Sequence, residues 1–142
     1  MKRIFVAVDS SPRAKLVLAA AVTLAKAMNS KLFLFRSVSI PPEIPVDAYM
    51  SSTTDLQGLL LENARKEMDT LAKEVPAELL EKTEIEVAVA WDGICRAAKQ
   101  FEADLIVIGS HGYGLLDRVL GTTAAKVVNH ADRSVLVVRN SM

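Results

Sequence analysis

The segment from Gly109 to Thr123 has the residue types and spacing of a phosphate-binding site. An apolar run ends at Ile108, and the pattern Gly-Ser-His-Gly-Tyr-Gly follows it. Glycine lets the backbone approach a ligand closely because it has no side chain in the way. The segment closes on Gly121-Thr122-Thr123, a predicted helix start, where backbone N–H groups favour an anion. The combination predicts a cradle for nucleotide phosphates; the alternative is a simple turn followed by a capping threonine.

Three common motifs do not match this chain. The Walker pattern needs a lysine before the hydroxyl residue, but Gly121 precedes Thr122. The dinucleotide fingerprint Gly-x-Gly-x-x-Gly should follow the first strand, which instead ends in Val-Asp-Ser-Ser. The Gly-x-Ser-x-Gly elbow of hydrolases is absent. His111 could shuttle a proton or bind a metal, but a solvent-facing loop residue is the simpler interpretation.

Alternating strands and helices must position this segment. Strands are predicted at residues 4–8, 32–38, 85–90, 105–108 and 135–138, and helices at 14–28, 59–74, 92–101 and 122–130. This order predicts right-handed crossovers and an open, five-stranded parallel α/β sheet with helices on both faces. Ligands bind beyond the carboxyl ends of the strands in such sheets. Asp9, Val38 and Gly109 stand at or just after three of those ends.

The composition agrees with a single domain, residues 1–142, and narrows the classes of partner that the protein could bind. Of 142 residues, 51% are hydrophobic and only 5% aromatic, so the core must consist mainly of aliphatic side chains. Lys and Arg total 17, as do Asp and Glu, which argues against a nucleic-acid partner. No apolar stretch approaches the roughly 18 residues of a membrane span. The single cysteine, Cys95, cannot form an internal disulfide, and we expect a cytoplasmic protein.

Two further segments carry expectations about loops and partners. The Pro-rich stretch from Ser39 to Thr54 belongs to a predicted connection of about 20 residues between the second strand and the second helix. Connections of that length are usually functional or mobile. The strand Val135–Val138 is an uninterrupted apolar run that should lie at an edge of the sheet. Because an exposed apolar edge is a template for pairing, we expect a homodimer through this strand.

The phosphate segment resembles the ATP-binding signature of the universal stress protein family. Its usual form is Gly-x2-Gly-x9-Gly-Ser/Thr, and here Gly109, Gly112 and Gly121-Thr122 correspond to it. The departure is in the loop, where eight residues separate Gly112 from Gly121 instead of nine. The opening Ile-Phe-Val-Ala-Val-Asp-Ser-Ser and the closing Arg-Ser-Val-Leu-Val-Val-Arg resemble the family as well, so the resemblance covers the whole chain.

The resemblance implies a fold and a set of ligand contacts. The fold is the five-stranded parallel sheet that the element order predicts independently. Asp9 would approach the ribose, and the backbone near Val38 would approach the adenine. The residues that the resemblance assigns to ribose and phosphates are Gly109, Gly112, Gly121, Thr122 and Thr123. It also implies Mg²⁺ or Mn²⁺ with the nucleotide, and pairing of two copies through the last strand.

The leading hypothesis is an ATP-binding stress-response protein that acts as a nucleotide-dependent sensor or regulator. No side chain is placed by the sequence as a general base or nucleophile, so we expect at most slow ATP hydrolysis or autophosphorylation. One alternative is a phosphotransferase or nucleotide-activating enzyme, for which the stretch from Ser39 to Thr54 would be a lid. The other is a dimerisation module with a vestigial nucleotide site.

Overall fold

A five-stranded parallel sheet forms the centre of the molecule. The structure, a computed structural model, describes residues 2–39, 46–110 and 120–139, with the backbone alone for 46–55. The elements in chain order are β1 Arg3–Ala7, α1 Ala14–Met28, β2 Lys31–Val38, α2 Val46–Ala72, β3 Leu80–Val87, α3 Ala90–Phe101, β4 Leu105–Gly109, α4 Thr122–His130 and β5 Ser134–Val138. The strand order is β3-β2-β1-β4-β5, and all neighbouring strands are parallel. The predicted fold class is confirmed.

Helices cover both faces of the sheet and bury its three interior strands, β2, β1 and β4. In β1, Ile4 and Val6 point towards a core shared with α1 and α2, whereas Phe5 points towards α3 and α4. This alternation follows from the pleat, which sends successive side chains to opposite faces. Because each central strand is covered twice, it consists of an unbroken apolar run, as in Leu105–Ile108 of β4.

Two predicted elements differ from the observed ones. Helix α2 begins at Val46 rather than Leu59, so the predicted connection from Ser39 to Thr54 is largely helical in its second half. The sequence misled because its Ser/Thr run is typical of loops. Strand β3 spans Leu80–Val87 rather than residues 85–90. It is an edge strand with exposed charged side chains, which hide the apolar alternation that marks a strand.

Strand β5 lies at the opposite edge of the sheet, as the sequence predicts. Residue Ser110 connects this edge to the start of α4, because its N–H donates to the carbonyl of Val138 at 2.9 Å and its carbonyl accepts from Gly121 N–H at 2.7 Å. Among the described residues, no helix combines the length and apolarity needed to cross a membrane.

Candidate functional site

A crevice opens beyond the carboxyl ends of β1 and β4, which are neighbours in the sheet. The chain leaves β1 through α1 on one face of the sheet, and it enters β4 through α3 on the opposite face. This divergence makes the gap between β1 and β4 the topological switch point, where open α/β sheets bind ligands. The crevice has a volume of about 390 Å³, within the range of about 300–1,000 Å³ that holds small molecules.

The crevice brings together most of the residues that the sequence singles out. Those that line it are Asp9, Gly109, Gly121, Thr122 and Thr123. Gly112 and His111 lie outside the described residues. The structure therefore places these five residues together at one edge of the sheet, whereas their roles in binding a ligand stay predictions.

Val38 is placed differently from the other predicted residues. Its side chain is buried in the sheet, and its carbonyl accepts the N–H of Ala88 at 3.1 Å. Its two neighbours, Ser37 and Ser39, line the crevice instead. Successive residues of a strand point to opposite sides, so Ser37 and Ser39, which are separated by one residue, lie on the same side.

The start of α4 forms one wall of the crevice. The residue before the helix is Gly121, with φ −65° and ψ 164°, and it makes no side-chain cap. The N–H groups of Thr122, Thr123 and Ala124 have no acceptor within the helix, because they belong to its first turn. Any residue can adopt this backbone conformation, so what glycine contributes here is the absence of a side chain beside those donors.

The opposite wall is the turn that leads from β1 into α1. A carboxylate oxygen of Asp9 accepts the N–H of Ser11 at 2.9 Å, and the Ser11 hydroxyl accepts the N–H of Arg13 at 3.3 Å. Ser11 is buried, so the turn is held by two consecutive side-chain bonds before the helix begins. These bonds fix the Asp9 carboxylate at the mouth of the crevice.

Sequence reasoning missed the lining residues of α1, of the turn before it and of α3. These are Ser11, Arg13, Ala14, Val17, Ala90 and Ile94. The signal was available for the first three, since the segment after β1 must start its helix at the carboxyl edge of the sheet. For α3 it was not available, because the sequence analysis extends the third strand to Ala90, where the helix already begins. Asp9 and Arg13 are the ionisable residues among the described lining.

The remaining groups with chemical potential have structural surroundings. Burial, helped by the charges of Asp92 and Asp132, raises the pKa of the Cys95 thiol, so the thiol is a poor nucleophile at neutral pH. The ring of His130 packs on Trp91 with centroids 4.7 Å apart, which joins α4 to α3. Within the described ranges, no three His, Cys, Asp or Glu side chains group as a metal site.

The topology and the crevice define the class of protein: an open parallel α/β fold with a ligand-sized crevice at its switch point. Within this class, residues 1–139 match the model of the Universal stress protein family, and the chain belongs to that family. The chain is similar to universal stress protein Sll1388 of Synechocystis, at 29% identity over an alignment of 151 positions that covers 97% of each chain. It is also similar to universal stress protein A homolog 2 of Coxiella burnetii, at 28% identity over 97% of this chain and 94% of that protein.

Solved structures show the same fold. UspA of Lactobacillus plantarum superposes with a TM-score of 0.74 at 31% identity, with 97% of each chain covered. The hypothetical protein MJ0577 superposes with a TM-score of 0.84 at 23% identity, over 99% of this chain and 97% of its own. Two similar structures are nucleotide complexes: a universal stress protein with cAMP (TM-score 0.65, 23% identity, 97% and 96% covered) and one from Archaeoglobus fulgidus with dAMP (TM-score 0.60, 22% identity, 98% of each covered).

Proposed function

We propose that this universal stress protein is a cytoplasmic, ATP-binding sensor or regulator whose single domain comprises residues 1–142. The observation that carries the proposal is the crevice itself. Gly109 and the uncapped start of α4 at Gly121 lie at one crevice with the anchored carboxylate of Asp9. Backbone donors of this kind favour phosphate, and a carboxylate can accept hydrogen bonds from the hydroxyl groups of a ribose.

The nucleotide complexes of related proteins support an adenine nucleotide as the ligand. Both cAMP and dAMP contain adenine and phosphate, and the proteins that hold them share the fold of this chain. The crevice also has apolar walls at Val17 and Ile94, which suit a flat base.

In the proposed pose, each region of the crevice binds one part of ATP. Asp9 holds the ribose, and the end of β2 around Val38, with Ser37 and Ser39 lining the crevice, holds the adenine. The phosphates bind the backbone of Gly109, Gly112, Gly121, Thr122 and Thr123. Mg²⁺ or Mn²⁺ arrives with the phosphates, whose oxygens are ligands that these hard cations prefer.

Calorimetry and thermal unfolding with ATP and GTP, each with and without Mg²⁺, test the proposal. A ligand that binds the folded state must stabilise it, so we expect ATP to raise the melting temperature and GTP to raise it less. We also expect protein purified without added nucleotide to release ATP or ADP on denaturation. No heat and no thermal shift at millimolar ATP would contradict ATP binding.

We expect turnover to be slow because the described residues at the phosphate end of the proposed pose, Gly109, Gly121, Thr122 and Thr123, include no general base. A steady-state rate of ATP hydrolysis above about one per second, typical of dedicated enzymes, would favour the alternative of a phosphotransferase or nucleotide-activating enzyme.

We also propose a homodimer in which strands Val135–Val138 of two copies pair. The supporting observations are the edge position of β5 and the exposed side chain of Leu136 at its centre. In an isologous pairing centred on this residue, Leu136→Lys would place like charges opposite each other. We expect light scattering to give a dimer mass for the wild type at tens of micromolar and a monomer mass for the variant. A monomer mass for the wild type would exclude the dimer.

A further inference from the structure

We propose that Arg13 makes the crevice distinguish nucleotides by their number of phosphates, so that ATP binds in preference to AMP and adenosine. This inference rests on the proposed ATP site and assigns it a specificity residue. Arg13 lies outside the glycine signature, four positions after Asp9 in the turn before α1. Its discriminating property is its charge, because it is the lining residue with a formal positive charge among those that the structure describes.

The position of Arg13 is fixed by its own backbone. Its N–H donates to the Ser11 hydroxyl at 3.3 Å, and its carbonyl accepts the N–H groups of Leu16 and Val17 at 3.0 and 3.2 Å. Both backbone polar groups of Arg13 are therefore hydrogen-bonded. The half-buried residue forms part of the crevice wall.

The two walls of the crevice offer different kinds of attraction to a phosphate chain. The start of α4 offers neutral backbone donors and a partial helix-dipole charge, which any anion can use. Arg13 adds a full charge from the other face of the sheet, where α1 lies. Each further phosphate adds negative charge to the ligand, so the attraction of a full positive charge rises with phosphate number.

The charges of the described lining residues make the contribution of Arg13 to phosphate binding important. The other ionisable lining residue, Asp9, is negative and repels phosphate, so without Arg13 the described lining would carry a net negative charge. No lysine precedes Thr122 to supply the cation, as one does in the Walker pattern. An arginine suits this task because its guanidinium can bind phosphate oxygens through two N–H groups.

The test compares ATP, AMP and adenosine by calorimetry on the full chain and on Arg13→Gln, Arg13→Lys and Lys15→Gln. For Arg13→Gln we expect ATP binding to weaken about tenfold and AMP binding to weaken less. Adenosine binding should stay within about twofold of the wild type. Arg13→Lys should recover part of the ATP affinity. Lys15 is the matched control, since it is an exposed cation of the same helix, paired with Glu74 at 3.6 Å, that does not line the crevice.

Salt dependence gives a second readout that a merely structural role would not change. ATP affinity of the wild type should fall with ionic strength more steeply than that of Arg13→Gln, because the variant lacks the screened charge. Equal losses for ATP and adenosine, or no loss for either, would overturn the role of Arg13 while leaving the ATP site intact. Failure of the wild type to bind ATP at all would overturn the proposed function and this inference together.

Discussion

The two ends of the sheet differ in how their helix termini are satisfied. At the amino end, where α3 stops, basic side chains of the chain bind the free carbonyl groups. The Arg3 guanidinium donates to the carbonyl of Phe101 at 2.8 Å. The Arg133 guanidinium donates to the carbonyls of Ala103 and Ala98 at 2.7 and 3.2 Å. These bonds suit the negative end of the helix dipole.

At the carboxyl end, helices α1, α3 and α4 begin without a side-chain cap among the described residues. The residues before them, Arg13, Val89 and Gly121, make no side-chain hydrogen bond to the first turn. All three helices reach the crevice, α1 from one face of the sheet and α3 and α4 from the other. Backbone carbonyls already accept the N–H groups of Ala14 and Leu16 at the start of α1, so the contrast with the amino end is clearest at α4, whose first N–H groups have no acceptor within the helix.

The difference indicates a division of labour between stability and binding. Groups at the amino end gain their partners on folding, so their loss should lower the free energy of unfolding. The first N–H groups of α4 would gain a charged partner when an anionic ligand binds. We therefore expect substitutions at the carboxyl end to weaken binding with little effect on stability, and substitutions at the amino end to do the reverse.

The largest expected effect is that of Gly121→Val at the carboxyl end. The backbone conformation accepts valine, but the side chain would fill the space beside the donors of α4. We expect ATP binding to weaken by about 100-fold or more, with a melting temperature close to that of the wild type. Gly58→Ala is the control, since a Cβ at Gly58 meets nothing within 4 Å. Wild-type affinity in Gly121→Val would show that the phosphates bind elsewhere.

Asp9→Ala should have a smaller effect on binding. It removes the proposed ribose contact and the bond to the Ser11 N–H, and we expect a loss of about 1–3 kcal/mol in ATP binding. Asp9→Asn is the matched variant, because its amide oxygen can still accept the Ser11 N–H. Calorimetry should give Asp9→Asn an intermediate affinity. If both variants bind as tightly as the wild type, Asp9 does not contact the nucleotide.

Arg133→Ala tests the amino end. The side chain is mostly buried, and its loss leaves two carbonyl groups without a charged donor. We expect urea unfolding to show a loss of about 1–3 kcal/mol in the free energy of unfolding, and ATP affinity to stay within about twofold of wild type. Lys26→Ala is the control, since Lys26 is an exposed basic residue in the last turn of α1. A large loss of ATP affinity in Arg133→Ala would contradict the division between the two ends.

The smallest effect is expected for Asp104, whose carboxylate accepts the N–H groups of Lys2 and Arg3 at 2.7 and 3.0 Å. These bonds lower its pKa below the usual value. A lowered folded-state pKa gives stability that is present above the unfolded pKa and lost as pH falls through the folded one. Asp104→Asn should therefore melt slightly below the wild type at neutral pH, and the difference should shrink as the pH falls below the usual range of an aspartate pKa. A difference that grows on acidification would contradict this assignment.

Much of the fold could be predicted because the central elements have simple patterns. The bounds of α1, Ala14–Met28, and of α4, Thr122–His130, agree with the prediction, since each has a recognisable start and end. The central strands could be predicted because burial on both faces demands unbroken apolar runs. The start of α2 and the position of β3 could not, because a Ser/Thr run and an exposed, charged edge strand lack those patterns.

The site could be predicted only as far as residues follow strands or precede helices. Asp9, Gly109 and Gly121 were found by that rule. Val38 shows its limit, since a strand-end rule does not say which alternate residue faces the crevice. Ile94 shows another, because a residue on the apolar face of a helix has the same pattern whether it meets the core or a ligand.

One residue of the scaffold links the crevice to the edge of the sheet. Ser110 gives its N–H to Val138, the last residue of β5, and its carbonyl to Gly121, the residue before α4. Two backbone hydrogen bonds of one residue thus connect the start of a helix to the end of a strand. A ligand that displaces the helix start would therefore act on the edge strand through these two hydrogen bonds or break one of them.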